Sequence, residues 1–133
     1  MKLAIMQPYL FPYLGYFQLI HAADKFVVYD DVAFINKGWI NRNYLLMDGA
    51  AGMFSVPLSQ ASQNNLIKDT RIDNESFARW EGKFTRTIIQ NYHRAPYFKP
   101  AMEIISRSLN DHAGSISRMA FIGIQSVVNY LGL

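Results

Sequence analysis

The chain contains no cysteine. Disulfides, thiolate nucleophiles and thiolate metal sites are therefore excluded, and a reducing compartment suits the composition. Charge is also scarce, at 17% Asp, Glu, Lys and Arg against about 25% in ordinary globular domains. The net charge of +3 comes from 13 Lys plus Arg and 10 Asp plus Glu, with the basic residues scattered along the chain. Nucleic-acid binding by phosphate neutralisation needs a clustered basic face, so no nucleic-acid partner is expected.

Several signatures are missing as well. Neither G-x-G-x-x-G nor G-x-x-x-x-G-K-[ST] occurs, which disfavours dinucleotide and P-loop sites of those kinds. No G-x-S-x-G elbow supports a serine triad. His21, His93 and His112 lie far apart, without the H-x-H or H-x-x-x-H spacing of a local metal motif. No metal is expected, and no cofactor is identified. His21, on a predicted helix, is expected to be half-buried and satisfied.

Residues 3–20 are mostly apolar, but Gln7, Pro8 and Pro12 interrupt them. Each proline removes a helical donor, and a spanning helix needs about 20 consecutive apolar residues. A signal peptide would show a basic start and a small-residue cleavage site. No transmembrane segment is expected, and the protein is expected to be cytoplasmic.

What is present reads as one α/β domain over residues 1–133. Nine Phe, eight Tyr and two Trp make it rich in aromatics, enough for a substantial core. With so little charge, some apolar surface is expected to be covered by a partner or by missing sequence, and a homo-oligomer is also expected. Leu3 to Met6 reads as a buried strand, Pro12 and Gly15 shape a loop, and a helix follows from about Leu14 to Ala23. Phe17, Ile20 and His21 share one helical face. Lys25 to Tyr29, "KFVVY", is a β-branched and aromatic strand. This Rossmann-like start predicts two parallel strands joined by a crossover, with ligands at the strands' carboxyl ends.

Asn43 to Met47 and Met53 to Leu58 are strand-like runs around Asp48 to Gly52, which predicts a central hairpin with a longer loop. Leu66 to Ile72 is a further candidate strand. The last third is helical. Phe77, Trp80, Phe84 and Ile88 form one apolar stripe between Ser76 and Tyr92, expected in the core, and Pro96 breaks that helix. Pro100 suits the first turn of the next helix, to about Leu109. Ser115 or Ser117 caps the last, which stops near Gly132.

Two groups of residues could carry chemistry. Asp30 and Asp31 follow the second strand, where adjacent acids could bind a divalent cation or orient a hydroxyl-rich substrate. Adjacent side chains on extended backbone point apart, so at most one faces a given site. A turn acid and a cap is the plainer alternative. The second group is "NKGWINRNYL", Asn36 to Leu45. Arg42 suits a phosphate or carboxylate, Asn41 and Asn43 add amides, and Trp39 a stacking wall. An ordinary Asn- and Gly-rich turn is the alternative there.

Three blocks now stand out: "MKLAIMQPYLFPYLGYFQLI", "DKFVVYDDVAFINKGWINRN", and the spaced Trp80, Lys83-Phe84, Asn91-Tyr92 and Ala95-Pro96-Tyr97-Phe98. Together they resemble the WbqC-like family, and the resemblance spans most of the chain. Its dense motifs cover Gln7, Pro8, Tyr16, Asp30, Asp31, Trp39, Asn41, Arg42 and Asn43. Members are found in bacterial O-antigen and surface-polysaccharide gene clusters, which implies a transferase of polysaccharide assembly, a glycine transferase being one proposal. Members also run longer than this chain, so a truncated C-terminal side is expected.

The strand, Pro-containing loop and helix also resemble nucleotidylyltransferases more distantly. Tyr13-Leu14-Gly15-Tyr16 stands where those enzymes carry H-x-G-H, which puts nucleotidyl transfer in doubt while nucleotide binding at the helix N-terminus stays open. The resemblance therefore implies a small-molecule or nucleotide-sugar substrate. Asp30 or Asp31 would be catalytic. Gln7, Tyr13 or Tyr16, Trp39, Asn41, Arg42 and Asn43 would contact the substrate. A non-catalytic nucleotide-sugar-binding or assembly module is the alternative.

Overall fold

The computed structural model describes all 133 residues, as a mixed α/β arrangement. The opening unit forms in the predicted order, but its first strand is not buried as expected: Leu3 and Ile5 are 54% and 52% exposed, because the two-stranded sheet is covered on one face only. Strand β1 (Leu3–Met6), helix α1 (Leu14–Ala22) and strand β2 (Lys25–Val28) follow in order, and the strands pair in parallel with Leu3 opposite Lys25 and Met6 opposite Val28. Tyr29 N–H donates to the Met6 carbonyl at 2.7 Å, extending the ladder by one bond. This sheet has only two strands. Its inner residues Met6 and Phe26 pack with Tyr16 and Phe17 of α1 against Ile124.

The hairpin differs from expectation in its turn. Strand β3 (Arg42–Met47) pairs antiparallel with β4 (Ala50–Ser55), and Met47 faces Ala50 directly. The loop is therefore the two residues Asp48 and Gly49, with φ of 51° and 84°. That conformation is the primed hairpin turn whose twist matches the strands. The small residues Ala50, Ala51 and Gly52 belong to the strand rather than to a longer loop. The second candidate strand, residues 66–72, resolves into a 3₁₀ turn (Ile67–Asp69) and strand β6 (Arg71–Ile72), which pairs with β5 (Leu58–Ser59).

Three helices complete the chain: α2 (Asn74–Tyr92), α3 (Phe98–Asn110) and α4 (Ile116–Leu131). The apolar stripe of α2 faces inward. Phe84 and Ile88 are buried, and Phe77 and Trp80 pack against the same cluster. Helix α2 also covers the hairpin, because Leu46 N–H donates to the Tyr92 hydroxyl at 2.6 Å and Asp48 N–H to Asn91 Oδ1 at 2.9 Å. Unpaired strand N–H groups invite edge-to-edge association; Tyr92 answers the one on Leu46, and Asn91 holds the turn. Ser115 is the N-cap of α4, its Oγ accepting from Arg118 N–H at 3.2 Å. Gly132 ends that helix at φ 72°, a left-handed position glycine adopts without strain. No helix is long and apolar enough to cross a membrane.

His112 sits in the turn between α3 and α4, its ring edge-on to Phe77 at 4.9 Å between centroids. Its Nδ1 accepts from Gly114 N–H at 2.8 Å, a role that requires Nδ1 unprotonated. Burial lowers its pKa, with Arg71 adding to the effect and Glu81 and Asp111 opposing it. A depressed folded-state pKa favours the neutral ring, so its stabilisation is whole above the unfolded value of about 6.5 and is lost as pH falls below it. The unfolding midpoint should therefore drop between about pH 7.5 and pH 5.5, and His112→Gln should flatten that slope. An unchanged slope in the variant would remove His112 from the effect.

Candidate functional site

The opening loop is held from two sides. Leu10 N–H donates to the Trp39 carbonyl at 3.0 Å. Asn43, one residue into β3, donates its side-chain amide to the carbonyls of Leu10 and Phe11 at 3.1 and 3.0 Å. Its Oδ1 accepts from Tyr44 N–H at 2.8 Å. Asn43 is thus committed to the backbone, and it clamps Phe11 in a left-handed conformation with φ 45°, which costs a non-glycine residue about 1–2 kcal/mol.

Its neighbours behave alike. Asn41 donates to the Val56 carbonyl at 3.1 Å and to Ser55 Oγ at 3.5 Å. Arg42 donates through Nε to the Gly38 carbonyl at 3.0 Å and through a terminal nitrogen to the Lys37 carbonyl. The guanidinium thus ties down the loop preceding β3, and Asn41 and Arg42 line a concavity of about 320 Å³ beside Lys37 and Ser55.

The two tyrosines of the opening loop separate. Tyr16 is 2% exposed, and its hydroxyl donates to the Gln7 carbonyl at 2.8 Å. Burial pushes this phenol far up, with Tyr9 adding to the shift, so it remains a protonated donor. Tyr16 is a core residue bracing the end of β1, a correction to its reading as a substrate contact. Through its carbonyl, Gln7 belongs to the same brace. Tyr13 is 75% exposed and lines a concavity of about 310 Å³ with Tyr9, Pro12, Trp39 and Asn43. Trp39 also meets Tyr44 at 5.9 Å between ring centroids, so this concavity has an aromatic wall. His21 is exposed, not half-buried.

Asp30 lies elsewhere, just past the carboxyl end of β2. Its carbonyl accepts from Lys68 N–H at 2.9 Å, and its Oδ2 accepts from Ser117 Oγ at 2.8 Å. Those contacts tie the strand end to the 3₁₀ turn and to the first turn of α4. A concavity of about 290 Å³ opens there, lined by Asp30, Ser117, Ser115, Lys68 and Arg118. One carboxylate, two hydroxyls and two cations suit a hydroxyl-bearing, anionic small molecule. Asp31 is exposed, and the two adjacent acids have different surroundings.

The expected site residues do not share one mouth: Tyr13, Trp39 and Asn43 line one concavity, Asn41 and Arg42 a second and Asp30 a third, while Gln7, Tyr16 and Asp31 line none of these. Lys68, Ser117 and Arg118 escaped the sequence reading. Ser117 is 87 positions from Asp30, and its only local signal, a hydroxyl near a helix start, pointed to capping. No group of three or more His, Asp or Glu side chains gathers as a metal ion would require.

Comparison with known proteins places this sequence in a family. Residues 7–133 match the WbqC-like protein family, and the chain belongs to it. "Uncharacterized protein Rv1507c" of Mycobacterium tuberculosis is 27% identical over 134 residues. The match covers 99% of this chain and 57% of that relative, so the chain spans little more than half the relative's length. No solved structure matches.

Proposed function

We propose that this WbqC-like protein is a transferase of bacterial surface-polysaccharide (O-antigen) assembly, with Asp30 at its reaction centre. It acts in the cytoplasm on a small-molecule or nucleotide-linked sugar intermediate, and glycine is a candidate for the group transferred. The observation that carries this reading is the position of Asp30 at the carboxyl end of a parallel strand, where α/β sheets bind their ligands. Ser117 holds one carboxylate oxygen by a 2.8 Å hydrogen bond. Such a carboxylate can accept the proton of an acceptor hydroxyl as general base. Lys68 and Arg118 line the same concavity, and their charges suit a phosphate or carboxylate on the donor. Trp39 and Tyr13 offer a stacking wall in a neighbouring concavity, and Arg42, Asn41 and Asn43 hold the loops that shape it. Leu3, Ile5 and Val27 on the outer face of the parallel pair are 54%, 52% and 43% exposed, which supports self-association.

Asp30→Asn should lower polysaccharide modification about 100-fold or more in a strain that depends on this gene, with Asp31→Asn close to wild type. Full complementation by a folded Asp30→Asn protein would sink the assignment.

A non-catalytic binding module is favoured instead by one observation. The side-chain donors of Asn41, Arg42 and Asn43 go to the protein's own backbone. Calorimetric titration with nucleotide sugars and glycine separates the readings, because tight binding without turnover belongs to the module.

A further inference from the structure

The largest concavity, about 420 Å³, lies between the hairpin and the α2–α3 corner, apart from the Asp30 site. Its lining comes from the opening loop (Phe11), β4 (Phe54), α2 (Phe84, Ile88) and α3 (Met102, Ile105). None of its fifteen lining residues is charged, and thirteen are hydrophobic. Two of the polar side chains that line it are already engaged. Asn43 donates its amide to Leu10 and Phe11, and the Tyr92 hydroxyl accepts from Leu46 N–H.

The walls are also fixed in place. Phe11 is clamped at φ 45°, and its ring lies so near Gly123 of α4 that a Cβ there would come within 3.3 Å of it. That ring rests against α4. Tyr97 at the rim is 71% exposed instead of folding into it. Small-molecule sites are typically concavities of roughly 300–1,000 Å³ with apolar and aromatic linings.

We propose that this concavity is a binding site for an uncharged hydrocarbon chain, the tail of an amphiphile whose polar head stays at the Tyr97 rim. The lining has no charge to pair with an ionic group, and its unengaged hydroxyls belong to Tyr44 and Tyr97, which are 53% and 71% exposed. A concavity of this size takes a chain end, whereas a partner helix would call for an extended groove.

Calorimetric titration of the full chain with 1-hexanol, 1-octanol and 1-decanol tests this. Saturable binding should appear at one site, tightening about threefold to fourfold per added methylene. Ala101 and Ala95 line the concavity and are exposed, so Ala101→Trp and Ala95→Trp can block it from two separate elements. Each should weaken 1-decanol binding at least about tenfold, while Ala78→Trp on the exposed side of α2 should leave it unchanged. Circular dichroism melts confirm that the variants fold. The proposal is overturned by unsaturable heats, by affinity independent of chain length, or by folded blocking variants that bind like wild type. Self-association that both blocking variants abolish, without any alkanol binding, would overturn it too, by making the concavity a contact between copies of the chain.

Discussion

Asn43→Ala should lose about 2–3 kcal/mol of unfolding free energy in urea titration. Each hydrogen bond contributes about 1 kcal/mol, and a partly buried carbonyl left without its donor adds to the loss. Two carbonyls, those of Leu10 and Phe11, depend on this one amide. Phe11 then has less to hold it in its left-handed conformation. Asn43→Asp should cost about as much, because a carboxylate cannot donate. A residue that served only to contact a ligand would behave differently, with both variants as stable as wild type and affinity alone reduced. A loss below about 0.5 kcal/mol would rule out the clamp.

The largest single loss is expected at Phe84. Its ring is 5% exposed and stacks on Trp80 at 4.7 Å, with Phe54 on another side at 4.6 Å. Phe84→Ala should cost about 3–5 kcal/mol, by lost transfer energy and by the cavity left behind. Phe84→Leu retains most of the volume and should cost clearly less. Equal losses in the two variants would mean that the surrounding rings do not hold their positions. Phe84 also lines the large apolar concavity, so stability and chain binding should fall together there. In Ala101→Trp, by contrast, only binding should change.

The elements that could be read from sequence are those whose signal is local. The α2 stripe repeats at helical spacing, so its burial followed from periodicity. Pro8 and Pro12 broke the apolar run at the start, and β1, α1 and β2 formed around that break. The hairpin turn was misread because Ala50, Ala51 and Gly52 look like loop residues. Pairing across to Leu45, Leu46 and Met47 makes them strand, and composition does not carry that pairing.

The site was less legible. The polar residues around Trp39 resembled a ligand grip, yet donors seek whichever acceptors the folded chain brings near. For Arg42 these are carbonyls four and five residues back, and for Asn43 carbonyls more than thirty residues away. Nothing in residue type distinguishes a backbone carbonyl from a substrate oxygen as the partner of an amide.

From sequence alone followed the absence of thiol chemistry, the parallel strand–helix–strand start, the helical last third and the family to which the motifs point. These depend on composition, short-range periodicity and residue identity, which are properties of neighbours along the chain. Only the tertiary structure decided that Tyr16 is core while Tyr13 is exposed. It also brought Ser117 to Asp30 and shaped an uncharged concavity between the hairpin and the α2–α3 corner. Those outcomes depend on long-range packing, in which each polar group takes the partner that the buried apolar surfaces bring within reach.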